Sequence, residues 1–176
     1  KAPAKINLAI DVISKRSDGY HNVSLIMQSI ALFDIISLET INEDKIIVNT
    51  NSHSLPDGPK NIAYKAAKLI KDKYNIKEGA RIYIEKNIPM AAGLGGGSTD
   101  AACTLKLLNK AWDLKLDIAE LMNLGAQIGA DIAFCIAGGT ALAEGIGEKI
   151  TLLKPLPKCY ILLIKPNINI STKEIH

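Results

Sequence analysis

The sequence predicts an α+β fold, and three observations lead to that class. Apolar residues alternate with polar ones near the start, as in "KINLAIDVI" (5–13), a pattern that is typical of β-strands. Helical periodicity begins only after Asn61, and the strand-like "ARIYIEKNIP" (80–89) lies between two helical stretches. With 176 residues, of which 48% are hydrophobic, the chain is long enough for one sizeable domain with its own core.

Several stretches carry the alternating or continuous β-branched and apolar residues of strands. The first is followed by Asp18-Gly19, a dipeptide that marks a turn. The second is long enough for one strand or two. The predicted strands cover residues 5–13, 23–39, 44–50, 80–89, 138–153 and 158–166.

Three stretches have the apolar spacing of helices. Asn61 stands where an N-cap residue is expected, and Asp117 is a plausible N-cap further on. The predicted helices cover residues 62–74, 98–112 and 117–129. The final stretch "INISTKEIH" (168–176) reads as a helix that stops after about one turn. Because the chain also starts at Lys1 rather than at methionine, we expect a piece of a longer protein.

The charge and composition argue against nucleic-acid and membrane partners. The net charge is +3 and the lysines are scattered, which argues against a dedicated nucleic-acid-binding surface. No apolar run approaches the roughly 18 residues of a membrane span. The three cysteines lie far apart, as expected of reduced thiols inside a cell. We therefore expect a cytoplasmic protein, and the lack of a transit peptide favours a bacterial source.

The most informative stretch is "PMAAGLGGGSTDAA" (89–102), which has four glycines within five positions between a predicted strand and a predicted helix. Backbone N–H groups at a helix N-terminus bind phosphate, and glycine lets the anion approach the backbone. Ser98 and Thr99 add hydroxyls for phosphate oxygens or Mg²⁺. We favour a phosphate site here over the alternative, a flexible connection with small residues for close packing.

Three familiar phosphate-binding loops do not fit. The Walker A loop needs a lysine after its last glycine, and none follows Gly97. The dinucleotide fingerprint needs glycine where this chain has Ser98. A protein-kinase glycine loop would be accompanied by a His-Arg-Asp signature, which this sequence lacks.

The same stretch resembles the phosphate-binding motif of the galactokinase, homoserine kinase, mevalonate kinase and phosphomevalonate kinase (GHMP) superfamily. The N-terminal "APAKINLAIDVISKRSDGYHNV" (2–23) is similar to one branch of it, the kinases that act on 4-diphosphocytidyl-2-C-methyl-D-erythritol. "LGAQIGADIAF" (124–134) and "GGTALAEGIGE" (138–148) also match family segments, although the family usually has proline at the position of Ala133. The resemblance covers essentially the whole chain.

The resemblance implies a fold and a domain division. The fold is the GHMP-kinase N-terminal domain, which is shared with a ribosomal protein domain and packs helices on one side of a mixed sheet. Residues 1–165 would form the N-terminal ATP-binding domain, and residues 166–176 would begin the C-terminal domain. The superfamily's third glycine-rich motif would lie beyond His176.

The implied activity is an ATP- and Mg²⁺-dependent phosphorylation of the 2-hydroxyl of 4-diphosphocytidyl-2-C-methyl-D-erythritol, in the non-mevalonate pathway of isoprenoid biosynthesis. The implied enzyme is a monomer or a homodimer. In it, Asp131 is the base that accepts the hydroxyl proton, and Lys5 is its charged partner. Without the resemblance, Asp131 is equally well explained as a capping residue and Lys5 as an outward-facing strand lysine.

The remaining roles also rest on the resemblance. The substrate residues would be Asn7, Tyr20, His21 and, weakly, His176. The nucleotide-binding residues would be Asn61, Lys86, Pro89, Met90, Ala91, Ala92, Gly93, Leu94, Gly95, Gly96, Gly97, Ser98 and Thr99. Of these, Lys86 and Asn61 would lie near the adenosine half. No metal ligand is certain, and Ser98 or Thr99 are the candidates.

Three other functions stay open at this point. A mevalonate- or homoserine-type kinase of the same superfamily should lack the Tyr-His pair of "SDGYH" (17–21). A noncatalytic phosphate- or nucleic-acid-binding domain of the same fold should gather its basic residues into one patch. A dinucleotide-binding oxidoreductase ranks last, because Ser98 breaks its fingerprint and the chain does not open with a βαβ unit.

Overall fold

The structure is a computed structural model that describes residues 1–52 and 55–166. Three strands come first, and the first α-helix begins only at residue 62. In chain order the elements are β1 (Ala2–Lys15), β2 (His21–Ile41), β3 (Ile46–Thr50), α1 (Ile62–Lys73), β4 (Gly79–Glu85), α2 (Gly96–Ala111), α3 (Ile118–Ala126), α4 (Ala130–Ala137), β5 (Thr140–Gly145) and β6 (Lys149–Leu152). A short 3₁₀ turn, Gly58–Lys60, precedes α1.

The six strands form one mixed sheet in the order β3-β4-β2-β5-β6, with β1 also paired to β2. Only the β3–β4 pair is parallel among these strands. The predicted α+β class, with helices on one side of a mixed sheet, is confirmed.

The central strand β2 is a single element of 21 residues, so the second predicted stretch is one strand rather than two. Its first part pairs with β1 on one side and β5 on the other. Its last part, Ile35 to Ile41, pairs with β4. One strand therefore connects the hairpin at the start of the chain to the strand that leads into the glycine loop.

The core lies between the sheet and the helices. On β4, Ile82 and Ile84 are buried while Arg81 and Tyr83 face outward, as expected of a strand with one covered face. The helices contribute mostly small buried residues, which allow close approach to the sheet and to each other. These include Ala63, Ala66 and Ala67 on α1, and Ala101 and Ala102 on α2.

Two predictions about local structure need correction. Residues 158–166 are not a strand: they have no regular structure, and Tyr160, Leu162 and Ile164 are largely exposed. Their apolar composition predicts a strand only where another strand pairs with them, and none of the described strands does. Helix α4 was missed because it is short and its N-cap, Gly129, provides no side-chain signal.

In the part of the chain that the structure describes, none of the helices combines the length and the apolar character that crossing a membrane requires.

Candidate active site

The glycine-rich loop runs from the end of β4 to Gly95, and α2 begins at Gly96. It lines a cavity of about 240 Å³ together with Leu55 and Lys86. Gly95 is the N-cap of α2 and offers no side-chain hydrogen bond to the first turn. The N–H groups of that turn are the positive end of the helix dipole, so the cavity suits an anion such as phosphate.

Each glycine in the loop has its own structural reason. Gly93 has a φ of +69° and open space where a Cβ would lie. Gly95 has a φ of +68°, and a Cβ there would come within 2.8 Å of Lys5 Cγ. A Cβ on Gly96 would lie 2.8 Å from Lys86 Nζ. Gly95 and Gly96 therefore make room for the side chains of Lys5 and Lys86, whereas Gly93 faces the open cavity.

The catalytic pair that the sequence suggests is present as an ion pair. Lys5 Nζ, on β1, lies 3.1 Å from Asp131 Oδ2, in the first turn of α4. The ammonium also donates to Asn7 Oδ1 at 3.2 Å. The N-cap of α4 is Gly129, so Asp131 does not cap its helix. Its side chain is 34% exposed, which leaves the carboxylate accessible to a substrate hydroxyl.

The loop and this ion pair are directly connected. The backbone N–H of Lys5 donates to the carbonyl of Leu94 at 3.0 Å. Gly95, the next residue, packs against the Lys5 side chain. Strand β1 therefore holds the cationic partner of Asp131 against the glycine-rich loop.

Lys86 lies in a different environment from the one predicted for a nucleotide contact. Its ammonium is paired with Asp34 and, at 2.9 Å, with Asp100 Oδ2, and all three side chains are buried. Burial raises the pKa of Asp100 to about 7, although the charge of Lys86 acts in the opposite direction. Among the described atoms, Asp100 Oδ1 has no hydrogen-bond partner. The contact between Lys86 and the adenosine half stays a prediction.

Sequence reasoning missed the two acidic members of this cluster. A signal for Asp34 was available, because it stands inside the apolar stretch 23–39, where a carboxylate needs a partner. Asp100 gave a weaker signal, since an aspartate early in a helix is ordinary.

The other predicted nucleotide contact, Asn61, is the N-cap of α1. Its Oδ1 accepts from the N–H of Ala63 at 2.9 Å, and its Nδ2 donates to the carbonyl of Pro56 at 3.0 Å. Asn61 is buried. Its role as the N-cap is enough to explain an asparagine at this position. Its contact with a nucleotide also stays a prediction.

The two candidate metal-binding hydroxyls differ in accessibility. Thr99 is buried, as is Cys135, whose pKa burial raises to about 12. Ser98 is only partly buried. Ser98 is therefore the better placed of the two. The described ranges 1–52 and 55–166 contain no group of three or more His, Cys, Asp or Glu residues that could hold a metal ion.

The residues predicted for the substrate divide into two places. Asn7 is at the Lys5–Asp131 pair. Tyr20 and His21 lie at the turn between β1 and β2, where Tyr20 is 60% exposed and its N–H donates to Asp18 Oδ1 at 3.1 Å. His176 lies outside the described residues. The structure thus brings the loop, Lys5, Asn7 and Asp131 together, with the Tyr20 ring open to solvent on the hairpin.

Comparisons with known proteins agree with the fold and the motif order. Residues 61–139 match the family described as the GHMP kinases N terminal domain. A 4-diphosphocytidyl-2-C-methyl-D-erythritol kinase of Caldicellulosiruptor saccharolyticus is 56% identical over all 176 residues, which cover 61% of that relative. A kinase of the same name from Bacillus cereus (strain B4264) is 53% identical with the same coverage. The chain thus spans about 61% of the length of these relatives.

Two solved structures are also similar to this chain. A crystal structure of 4-(cytidine 5'-diphospho)-2C-methyl-D-erythritol kinase has a TM-score of 0.71 and 37% identity, covering 88% of this chain and 53% of that one. The mevalonate kinase of Methanococcus jannaschii has a TM-score of 0.66 at 21% identity, covering 87% of this chain and 54% of that one. The second likeness shows the fold alone.

Proposed function

The chain belongs to the GHMP kinases and contains their N-terminal domain, and on this premise we propose that its protein transfers phosphate from ATP to an alcohol. The acceptor we propose is the 2-hydroxyl of 4-diphosphocytidyl-2-C-methyl-D-erythritol. The single observation that carries the proposal is the Lys5–Asp131 ion pair beside the glycine-rich loop.

Phosphoryl transfer needs alignment, charge neutralisation and a destination for the hydroxyl proton. Asp131 takes the proton on Oδ1 or Oδ2, and its partial exposure supports this role. Lys5 orients that carboxylate and places positive charge between it and the loop, where the transferred phosphate carries negative charge. Asn7 fixes the position of the ammonium through its side-chain oxygen.

The nucleotide phosphates fit the loop cavity. Gly93 gives open space for close approach, and the uncapped first turn of α2 supplies N–H donors. When Mg²⁺ is bound with the nucleotide, it neutralises phosphate charge, and the partly accessible Ser98 hydroxyl is the group of this chain that suits it.

The choice of acceptor rests on two observations. Relatives at 56% and 53% identity bear the name of the cytidyl-substrate kinase. Tyr20 also presents an exposed aromatic ring beside His21, a pair that suits the face and the edge of a cytosine. Tyr20 directly precedes β2 and His21 is its first residue, so the cytosine would lie toward the hairpin and the reacting hydroxyl toward Asp131.

The test is ADP release from Mg-ATP with the cytidyl substrate, using the full-length protein, with mevalonate and homoserine as alternative acceptors. The variant is Asp131→Asn. The control is Asp113→Asn, an exposed site with a φ of 48°, a conformation that asparagine tolerates. Turnover that needs the cytidyl substrate and is lost only in Asp131→Asn supports the proposal. Turnover with mevalonate or homoserine instead would overturn the acceptor.

A further inference from the structure

Resting on the proposed nucleotide site, we propose that Asp34 is a positioning residue for ATP. Its one carboxylate holds the strand side of the phosphate-binding loop directly and the helix side through Lys86. The loop's shape would then depend on a residue of β2 that is far from it in sequence and touches no substrate atom.

The strand side is held by two backbone hydrogen bonds. Asp34 Oδ1 accepts from the N–H of Asn87 at 2.6 Å and from the N–H of Ile88 at 2.7 Å. These residues immediately precede Pro89, where the loop begins. Because Asp34 is completely buried, water does not compete for the two bonds, and the carboxylate fixes where the chain leaves β4.

The helix side is held through the ammonium of Lys86. Asp34 Oδ2 accepts from Lys86 Nζ, which also reaches Asp100 Oδ2 in α2 at 2.9 Å. Lys86 packs so closely under the start of α2 that Gly96 has no room for a side chain there. The two ends of the loop are therefore tied to one carboxylate, and the loop spans the gap between them.

This cluster is placed for function more than for stability. Burying three charged groups is costly, and well-packed apolar side chains of similar volume often stabilise a core as well or better. What the charges add is geometry: the pairing specifies one position for β4, α2 and the ammonium between them. Lys86 also lines the loop cavity, so a shift of the cluster moves the wall that contacts phosphate.

The test compares variants of the full-length protein by ATP affinity and by thermal stability. Asp34→Asn keeps an oxygen for the two N–H groups and removes the charge that holds Lys86. Asp100→Ala cuts only the helix side. Lys71→Met is the control, because Lys71 is another buried lysine, paired with Asp44 and bonded to the carbonyls of Ile76 and Glu78 at the opposite end of α1 from the loop.

We expect Asp34→Asn to weaken ATP binding at least tenfold and to raise the KM for ATP without changing the KM for the alcohol. Asp100→Ala should weaken ATP binding at least threefold. Lys71→Met should lower the melting temperature and leave ATP affinity within twofold. ATP affinity within twofold of wild type in folded Asp34→Asn would overturn the proposal, and if that variant does not fold, the same result for Asp100→Ala would. Absence of ATP binding by the wild-type protein would instead refute the proposed function.

Discussion

Two buried lysines lie against neighbouring glycines at the start of α2, and they differ in the carboxylates with which they pair. Lys5 and Lys86 each approach a loop glycine, Gly95 and Gly96, so closely that a Cβ would lie 2.8 Å away. Lys5 pairs with Asp131, which is one-third exposed, whereas Lys86 pairs with Asp34 and Asp100, which are buried. The exposure of the partner carboxylate therefore distinguishes Lys5, which we propose acts in the chemistry, from Lys86, which we propose supports the loop.

The largest effect should come from replacing Asp131, the residue proposed to accept the proton. Replacing Asp131 by asparagine keeps the shape of the side chain and removes the proton acceptor, so we expect kcat to fall about 10³-fold. The melting temperature should change by only a few degrees, because the carboxylate is partly exposed. Steady-state kinetics and thermal unfolding of the full-length protein measure both. A large loss of stability with little loss of kcat would reverse the assignment of the two lysines.

Lys86→Met should produce the opposite result. Removing the ammonium leaves Asp34 and Asp100 facing each other without a countercharge, and breaking a buried pair in this way typically costs about 3–5 kcal/mol. Urea unfolding measures this loss directly. Lys71→Met serves as a comparison at a buried lysine whose acidic partner, Asp44, is exposed. A Lys86→Met protein as stable as wild type would show that the cluster is not held together by charge.

Stability should also depend on pH through Asp100. Its pKa is raised to about 7 in the folded state, so the folded protein holds a proton there that the unfolded chain releases near pH 4. The contribution to stability is present at low pH and is lost as the pH rises toward 7. The stability of Asp100→Asn relative to wild type should rise by about 3 kcal/mol between pH 5 and pH 8. If Asp100→Asn were less stable than wild type by the same amount at every pH, the result would indicate that Asp100 is ionised in the folded protein over the whole pH range.

The smallest effects should come from the two glycines. Gly95→Ala strains a left-handed residue by about 1–2 kcal/mol and pushes Lys5, so turnover should fall by about tenfold. Gly96→Ala contacts the end of Lys86, so it should lower stability by about 1 kcal/mol with less effect on turnover. Gly97→Ala, at a third glycine that lines the cavity, is the comparison with no lysine contact, since its φ is not positive and its nearest neighbour is an Ile62 methyl group at 3.3 Å. Equal effects of all three would remove the distinction between the lysines.

The sequence predicted the parts of the fold that carry local signals. The strand-loop-helix order around Gly93 and the N-caps at Asn61 and Asp117 all depend on neighbouring residues, and all are present. The 158–166 prediction failed because apolar composition does not specify whether a pairing strand is available. The packing of the helices on one side of the sheet was predicted only through the family resemblance, because periodicity does not determine on which side of a sheet helices pack.

Local sequence patterns predicted less of the site than of the fold. Lys5 and Asp131 are more than a hundred positions apart, and only the resemblance connected them before the structure placed them 3.1 Å apart. Asp34 could not be connected to Lys86 by any local pattern, because the contact depends on the pairing of β2 with β4. Their catalytic and positioning roles remain predictions that the variants above test.

The length of β2 has a consequence for redesign. The strand begins at His21, next to the ring proposed to select the acceptor, and passes Asp34 before it ends. The residues proposed for acceptor choice and for nucleotide placement are therefore held at a fixed spacing along one strand. Grafting the hairpin of another kinase onto this domain would need to preserve the spacing from His21 to Asp34, since one inserted residue would turn Asp34 to the opposite face of the sheet. New specificity in this scaffold should come from substitutions within the hairpin, not from changes in its length.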